Sequence, residues 1–236
     1  MRDILIKKAT SPLAIAFGFL LIFIFITAMK QSREEFKQYT YLALGDSYTI
    51  GEQVSTKENF PNQTTALLEK DGFDFKPATI IAKTGWTTDE LDKAIKQSKL
   101  QSRYDFVTLL IGVNNQYRGK KVADYIPEFE ALLKQAIRFA GNDTSHVIVL
   151  SIPDWGATPF ANAGDRNKIT VEIDEYNAAN KLIALKYHVH YIDITPGSRE
   201  ASNDPSLVTT DGLHPSAKEY SRWAEKVADA IKSNLK

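Results

Sequence analysis

From residue 39 to the C-terminus, five short apolar runs alternate with segments of helical period, and this alternation leaves the chain few architectures. The runs are residues 39–44, 79–82, 106–111, 146–151 and 190–194. Most are continuous and rich in Val, Ile and Leu, as expected of strands covered on both faces. Between them lie residues 61–70, 88–98, 122–139 and 171–187, and 216–233 closes the chain. Ala131, Leu132, Gln135, Ala136 and Phe139 recur at the i, i+3, i+4 spacing of an amphipathic helix. Pro61 and Pro215 stand where a first helical turn would begin, a place that tolerates a missing N–H. The pattern predicts an α/β fold, a five-stranded parallel sheet wound with helices on both faces.

Residues 9–29 are of another kind. They carry no charge and include Leu20-Leu21-Ile22-Phe23-Ile24-Phe25-Ile26. As a helix they would span about 31 Å, enough for the hydrocarbon core of a bilayer. A cleaved signal peptide needs a small-x-small pair, and Ile26 stands where Ala28 would need its small partner. The expectation is therefore a single-pass membrane anchor over 9–29, after a short cytoplasmic segment (1–8). A charged tether (30–38) then leads to one domain over 39–236. Arg2, Lys7 and Lys8 precede the span while Lys30, Arg33 and Lys37 follow it, so basic residues orient it weakly. A large domain behind one N-terminal span is expected on the extracytoplasmic side; secretion after cleavage is the alternative.

Acidic and basic residues number 29 each, so no net field favours nucleic acid. There is no cysteine, which excludes disulfides, thiolate metal sites, a cysteine nucleophile and a lipoprotein anchor. No His-Glu-x-x-His occurs, and His188 and His190 lack a third ligand nearby, so no metal is expected. No cofactor is expected either: no glycine-rich phosphate loop follows the first run, and Asp46 puts a carboxylate where a phosphate would go.

The chemistry-bearing residues cluster where runs end. Tyr41-Leu42-Ala43-Leu44 leads into Gly45-Asp46-Ser47-Tyr48-Thr49-Ile50-Gly51, which presents a serine at the sheet edge where ligands of α/β proteins collect. Alone, Gly-Asp-Ser is also ordinary turn chemistry. A serine nucleophile needs a base. Of four histidines, His146, His188 and His190 sit on or beside strands and read as structural. His214 lies in Asp211-Gly212-Leu213-His214-Pro215, where a carboxylate three residues earlier can orient an imidazole. Candidate oxyanion donors are Gly85, after the second run, and Asn114, after the third; a turn glycine and a loop-start asparagine are the alternatives.

These four pieces resemble the four blocks of the SGNH (GDSL-like) hydrolase superfamily, and the resemblance extends from Tyr39 to the C-terminus. It implies a flavodoxin-like three-layer α/β/α domain and a serine hydrolase of carboxylic esters. Ser47 would be the nucleophile, with Asp211 and His214 completing the triad. The N–H groups of Ser47 and Gly85 and the Asn114 amide would form the oxyanion hole. One position departs: the third block commonly reads Gly-x-Asn-Asp, whereas here it is Gly112-Val113-Asn114-Asn115. An Asn115→Asp change is expected to be tolerated. Trp86, Tyr117, Trp155 and Phe160 fall in edge loops and are candidate substrate contacts. Lipid-type esters such as lysophospholipids fit an anchored enzyme with such aromatics, while acetyl esters of envelope or plant polysaccharides fit sugar stacking. A non-catalytic binding module on the same fold is the remaining alternative.

Overall fold

The computed structural model describes residues 37–235. The expected segment 1–8, the apolar span 9–29 and the tether up to residue 36 lie outside the described residues. Among the described residues, no helix is long and apolar enough to cross a membrane.

Five parallel strands form one sheet: β1 (Tyr41–Gly45), β2 (Thr79–Ala82), β3 (Phe106–Leu110), β4 (Val147–Leu150) and β5 (His190–Ile192). Their order is β2-β1-β3-β4-β5. β1, β3 and β4 are buried throughout, which explains their continuous apolar sequence, while β2 and β5 are half-buried edges. In register, Gly45 faces Ala82 on one side and Leu110 on the other, so three strands end level. The chain winds outward from β1 to β2 and then crosses to β3 on the opposite side. The winding thus reverses beside β1, and a crevice opens at the carboxyl ends of the strands there.

The helices are α1 (Ser47–Ile50), α2 (Phe60–Lys70), α3 (Thr88–Gln97), α4 (Val113–Tyr117), α5 (Val122–Phe139), α6 (Arg166–Lys186), α7 (Thr195–Arg199) and α8 (Ala217–Lys232). α2 packs on α8, while α3, α5 and α6 pack in succession. Right-handed crossovers put these two groups on opposite faces of the sheet, giving three layers. Gln38–Lys236 forms one compact unit.

Most boundaries shift by one or two residues, and two differences have a visible cause. α6 starts at Arg166 rather than 171, because Asp165 caps it by accepting the Lys168 N–H at 3.1 Å. Pro215 lies outside α8: Ser216 caps that helix, and Pro215 instead pairs with Val208 in an isolated antiparallel bridge.

Candidate active site

β1 delivers Ser47 through a turn that only glycine allows. A Cβ on Gly45 would lie 2.1 Å from Thr49 Oγ1 and 2.4 Å from the Leu110 carbonyl oxygen. The chain then enters α1 with Asp46 as its cap, Oδ1 accepting the Tyr48 N–H at 3.0 Å. Ser47 is the first residue of the helix. Asp46 is fully buried, and its Oδ2 finds no partner of good geometry. Burial pushes the Asp46 carboxyl up to about 7, and the Tyr48 and Gly112 N–H groups offset only part of that cost.

The loop before α8 supplies an imidazole and a carboxylate. Asp211 Oδ2 lies 2.6 Å from His214 Nδ1. Its Oδ1 accepts the Leu213 N–H at 2.8 Å, the His214 N–H at 3.0 Å and the Thr209 hydroxyl at 2.8 Å. Partial burial works against ionisation of Asp211, but these donors outweigh it and hold the carboxyl at about 2. An ionised carboxylate only accepts, so Nδ1 carries the proton and Nε2 is left as the basic nitrogen. The loop is tied down at both ends, by Thr209 N–H to His214 O at 2.8 Å and Phe160 N–H to Gly212 O at 2.9 Å. His214 is nine-tenths buried, its ring 5.7 Å from that of Tyr48.

Opposite stands the turn after β2. Gly85 takes φ +85°, a left-handed conformation suited to glycine. Three neighbours hold the turn. Thr84 Oγ1 donates to Glu52 Oε2. Arg118 Nη2 donates to the Gly85 carbonyl at 2.6 Å, and Asn114 Nδ2 to the Trp86 carbonyl at 2.9 Å. An amide nitrogen carries two donors, so one of Asn114's remains for another acceptor.

Ser47, Gly85, Asn114 and His214 line one cavity of about 220 Å³. Ser47 and His214 face it without a direct hydrogen bond between their side chains; such bonds often tighten only with substrate present. Tyr117, Trp155 and Phe160 form its aromatic wall, with ring centroids 5.4 Å apart for the first pair and 6.1 Å for the second. Tyr117 and Phe160 are 58% and 47% exposed and make the rim. Trp155 is fixed by its Nε1–H, which donates to Gln116 Oε1 at 2.7 Å.

Trp86 does not line this cavity. Its ring packs half-buried against the core, while the Trp86–Thr87 peptide is held by the Asn114 amide and by the capping box at Thr87. Its carbonyl rather than its ring serves the site. Asp211 stands behind His214 and outside the lining. Tyr48, Thr84, Val113 and Leu213 complete the cavity. Sequence reasoning passed over them, although each adjoins a motif residue. Among the described residues, no group of His, Cys, Asp or Glu side chains is placed to hold a metal ion. His146 packs against the Phe106 ring and His190 pairs with Asn234, both away from the cavity.

A hydroxyl, an imidazole oriented by a carboxylate and donors converging on one cavity are the parts of an acyl-transfer site. The family model of the GDSL-like lipase/acylhydrolase family matches residues 43–222. The chain belongs to this family. As a member, it is a carboxylic ester hydrolase. No curated protein matches it. Solved structures that resemble it include TesA, at 18% identity and TM-score 0.65, over 83% of this chain and 99% of that one. A lipase/acylhydrolase from Enterococcus faecalis aligns at 20% identity and TM-score 0.67, over 84% and 98%. Axe2, an acetylxylan esterase from Geobacillus stearothermophilus, aligns at 16% identity and TM-score 0.64, over 84% and 96%. At these identities the hydrolase shares their fold.

Proposed function

We propose that the hydrolase cleaves esters of small acyl groups through an acyl-enzyme on Ser47. His214 Nε2 takes the Ser47 proton as Oγ attacks the acyl carbon, and Asp211 stabilises the imidazolium that forms. The oxyanion is met by the N–H groups of Ser47 and Gly85 and by the free donor of Asn114. Collapse expels the alcohol, protonated by His214. Water, deprotonated by the same nitrogen, then attacks the acyl-enzyme and releases the acid and Ser47. The carrying observation is the 2.6 Å Asp211–His214 contact behind a cavity that His214 shares with Ser47, Gly85 and Asn114.

The cavity argues for a modest acyl group. At about 220 Å³ it falls below the roughly 300–1,000 Å³ of pockets that enclose drug-sized ligands. Its wall of Tyr48, Val113, Trp155 and Leu213 favours an apolar acyl chain. Nitrophenyl esters of increasing chain length, turned over by the full chain and by Ser47→Ala, test the reading. The highest kcat/KM is expected on short to medium chains, and activity retained by Ser47→Ala would overturn the assignment.

A second reading, hydrolysis of carbohydrate acetyl esters, has its own support. The exposed Tyr117 ring offers a stacking face at the rim. Acetate release from an acetylated oligosaccharide, compared with release of fatty acid from a lysophospholipid, separates the two.

A further inference from the structure

Asn115 is wholly buried, next to Asn114 in sequence but outside the cavity. Its Oδ1 accepts the Thr88 N–H at 3.1 Å, and its Nδ2 donates to Thr88 Oγ1 at 2.6 Å. The Thr88 hydroxyl proton goes on to Glu128 Oε2 on α5. That same carboxyl oxygen lies 3.4 Å from Asn115 Nδ2, and Lys120 Nζ stands 3.9 Å from it. Thr88 opens α3 only two residues after Trp86, whose carbonyl holds the Asn114 amide. One side-chain chain therefore runs from α5 through Thr88 and Asn115 to both halves of the oxyanion region.

We propose that Glu128 is a positioning residue for the oxyanion hole, acting through Thr88 and Asn115, and that it dictates an amide at position 115. The inference rests on the role proposed above for Gly85 and Asn114. Thr88 has one hydroxyl proton and Glu128 already receives it, so the other neighbour must bring its own hydrogen to Thr88 Oγ1. Asn115 Nδ2 does so. A carboxylate at 115 only accepts. It would compete for the same proton and face the Glu128 oxygen that Asn115 Nδ2 now meets at 3.4 Å, crowding two carboxylates into one site. Relief comes by proton uptake or by movement of Thr88, and movement there shifts the Trp86 and Gly85 peptides. The expectation that Asn115→Asp is tolerated is thereby reversed. The damage should appear in the transition state, where the oxyanion donors act, more than in substrate binding.

The test compares the full chain with Asn115→Asp, Glu128→Gln and the double variant, on a short-chain nitrophenyl ester. Thermal unfolding reports the fold, and inhibition by an alkyl boronic acid, which forms an anionic tetrahedral adduct on a serine, reports the hole. Asn115→Asp should lower kcat about tenfold or more with KM within about twofold, and weaken boronic acid inhibition in parallel. Adding Glu128→Gln should return kcat to within about threefold of Glu128→Gln alone. Unchanged kcat in Asn115→Asp, or a double variant as slow as the single one, overturns the proposal. Should Asn115→Asp fail to fold, Glu128→Ala decides: lower kcat at constant KM supports the role, and wild-type kcat removes it. Activity in Ser47→Ala, by contrast, would sink the nucleophile assignment itself whatever Glu128 does.

Discussion

Asn114 Nδ2 lies 2.9 Å from the Trp86 carbonyl oxygen, so the turn after β2 and the turn after β3 share a hydrogen bond beside Ser47. The bond commits one amide donor to structure and aims the other, which is what preorganisation requires of an oxyanion donor. Asn114→Ala should therefore lower kcat by about 10²–10³ with a smaller change in KM. Part of the loss will come from the freed Trp86 carbonyl. Steady-state kinetics and boronic acid inhibition of Asn114→Ala check this. A mild Asn114→Ala would move the donor role elsewhere.

Ser47→Ala and His214→Ala should each abolish nearly all turnover with the fold retained. Triad members act as a unit, so the double variant should be little worse than either single one. Burst kinetics and thermal unfolding on the three variants check this. Losses that multiply would mean that Ser47 and His214 act independently, against the mechanism proposed.

Asp46 sets a pH dependence of stability with a defined sign. Its folded pKa of about 7 lies above the ordinary 3.8. Between these values the unfolded chain has released the proton and the folded chain has kept it, so stability falls as pH rises through that window and levels off above it. Asp211, held at about 2, acts in the other direction and outside the window, losing its contribution only as pH falls below about 4. Asp46→Asn keeps an acceptor for the Tyr48 N–H and has no proton to release. Its thermal midpoint should lack the decline between about pH 4 and 7 expected of the parent. An equal slope in both proteins would assign the decline to another group.

The strands were legible because burial on both faces writes itself as unbroken apolar sequence, as in Phe106–Leu110 and Val147–Leu150. Ser47, Asn114, Asp211 and His214 were legible for a related reason: each follows a strand or precedes a helix in a loop whose glycines mark a tight turn. α1, α4 and α7 escaped notice because four or five residues are too few to show a helical period. The start of α6 was hidden among Pro159 and Gly164, where Asp165 looked like one more loop residue. Trp86 reads as a wall because it adjoins a motif glycine, whereas its ring packs against the core and its carbonyl holds the Asn114 amide. The links from Gln116 to Trp155 and from Glu128 to Thr88 join residues 39 and 40 positions apart, and no local pattern announces such contacts.

Trp155 should govern acyl length. Its indole closes the cavity and is held by Gln116, which also donates to Glu172 at 2.7 Å. Trp155→Ala should raise kcat/KM on long-chain esters relative to short ones, by about tenfold in the ratio, one or two methylenes' worth of burial. Gln116→Leu should move the ratio the same way by less, because the ring remains and only its tether is lost. A chain-length profile that Trp155→Ala leaves unchanged would place the acyl group elsewhere and give the aromatic wall to the alcohol.

Removing residues 1–37 should leave an active, soluble enzyme. Gln38–Lys236 is one compact unit, and Ser47, Gly85, Asn114, Asp211 and His214 all lie within it. The cut falls just before Gln38, whose side chain bonds Asp74, and Tyr39, which stacks on Phe75 at 5.1 Å. These contacts secure the start of the domain. The full chain, by the anchor reading, should stay in membranes through carbonate extraction and retain its N-terminal residues by mass spectrometry. If the native protein instead begins near residue 30 in a soluble secreted fraction, residues 9–29 are a signal peptide. The ester hydrolase stands in that case, and membrane proximity no longer favours lipid substrates.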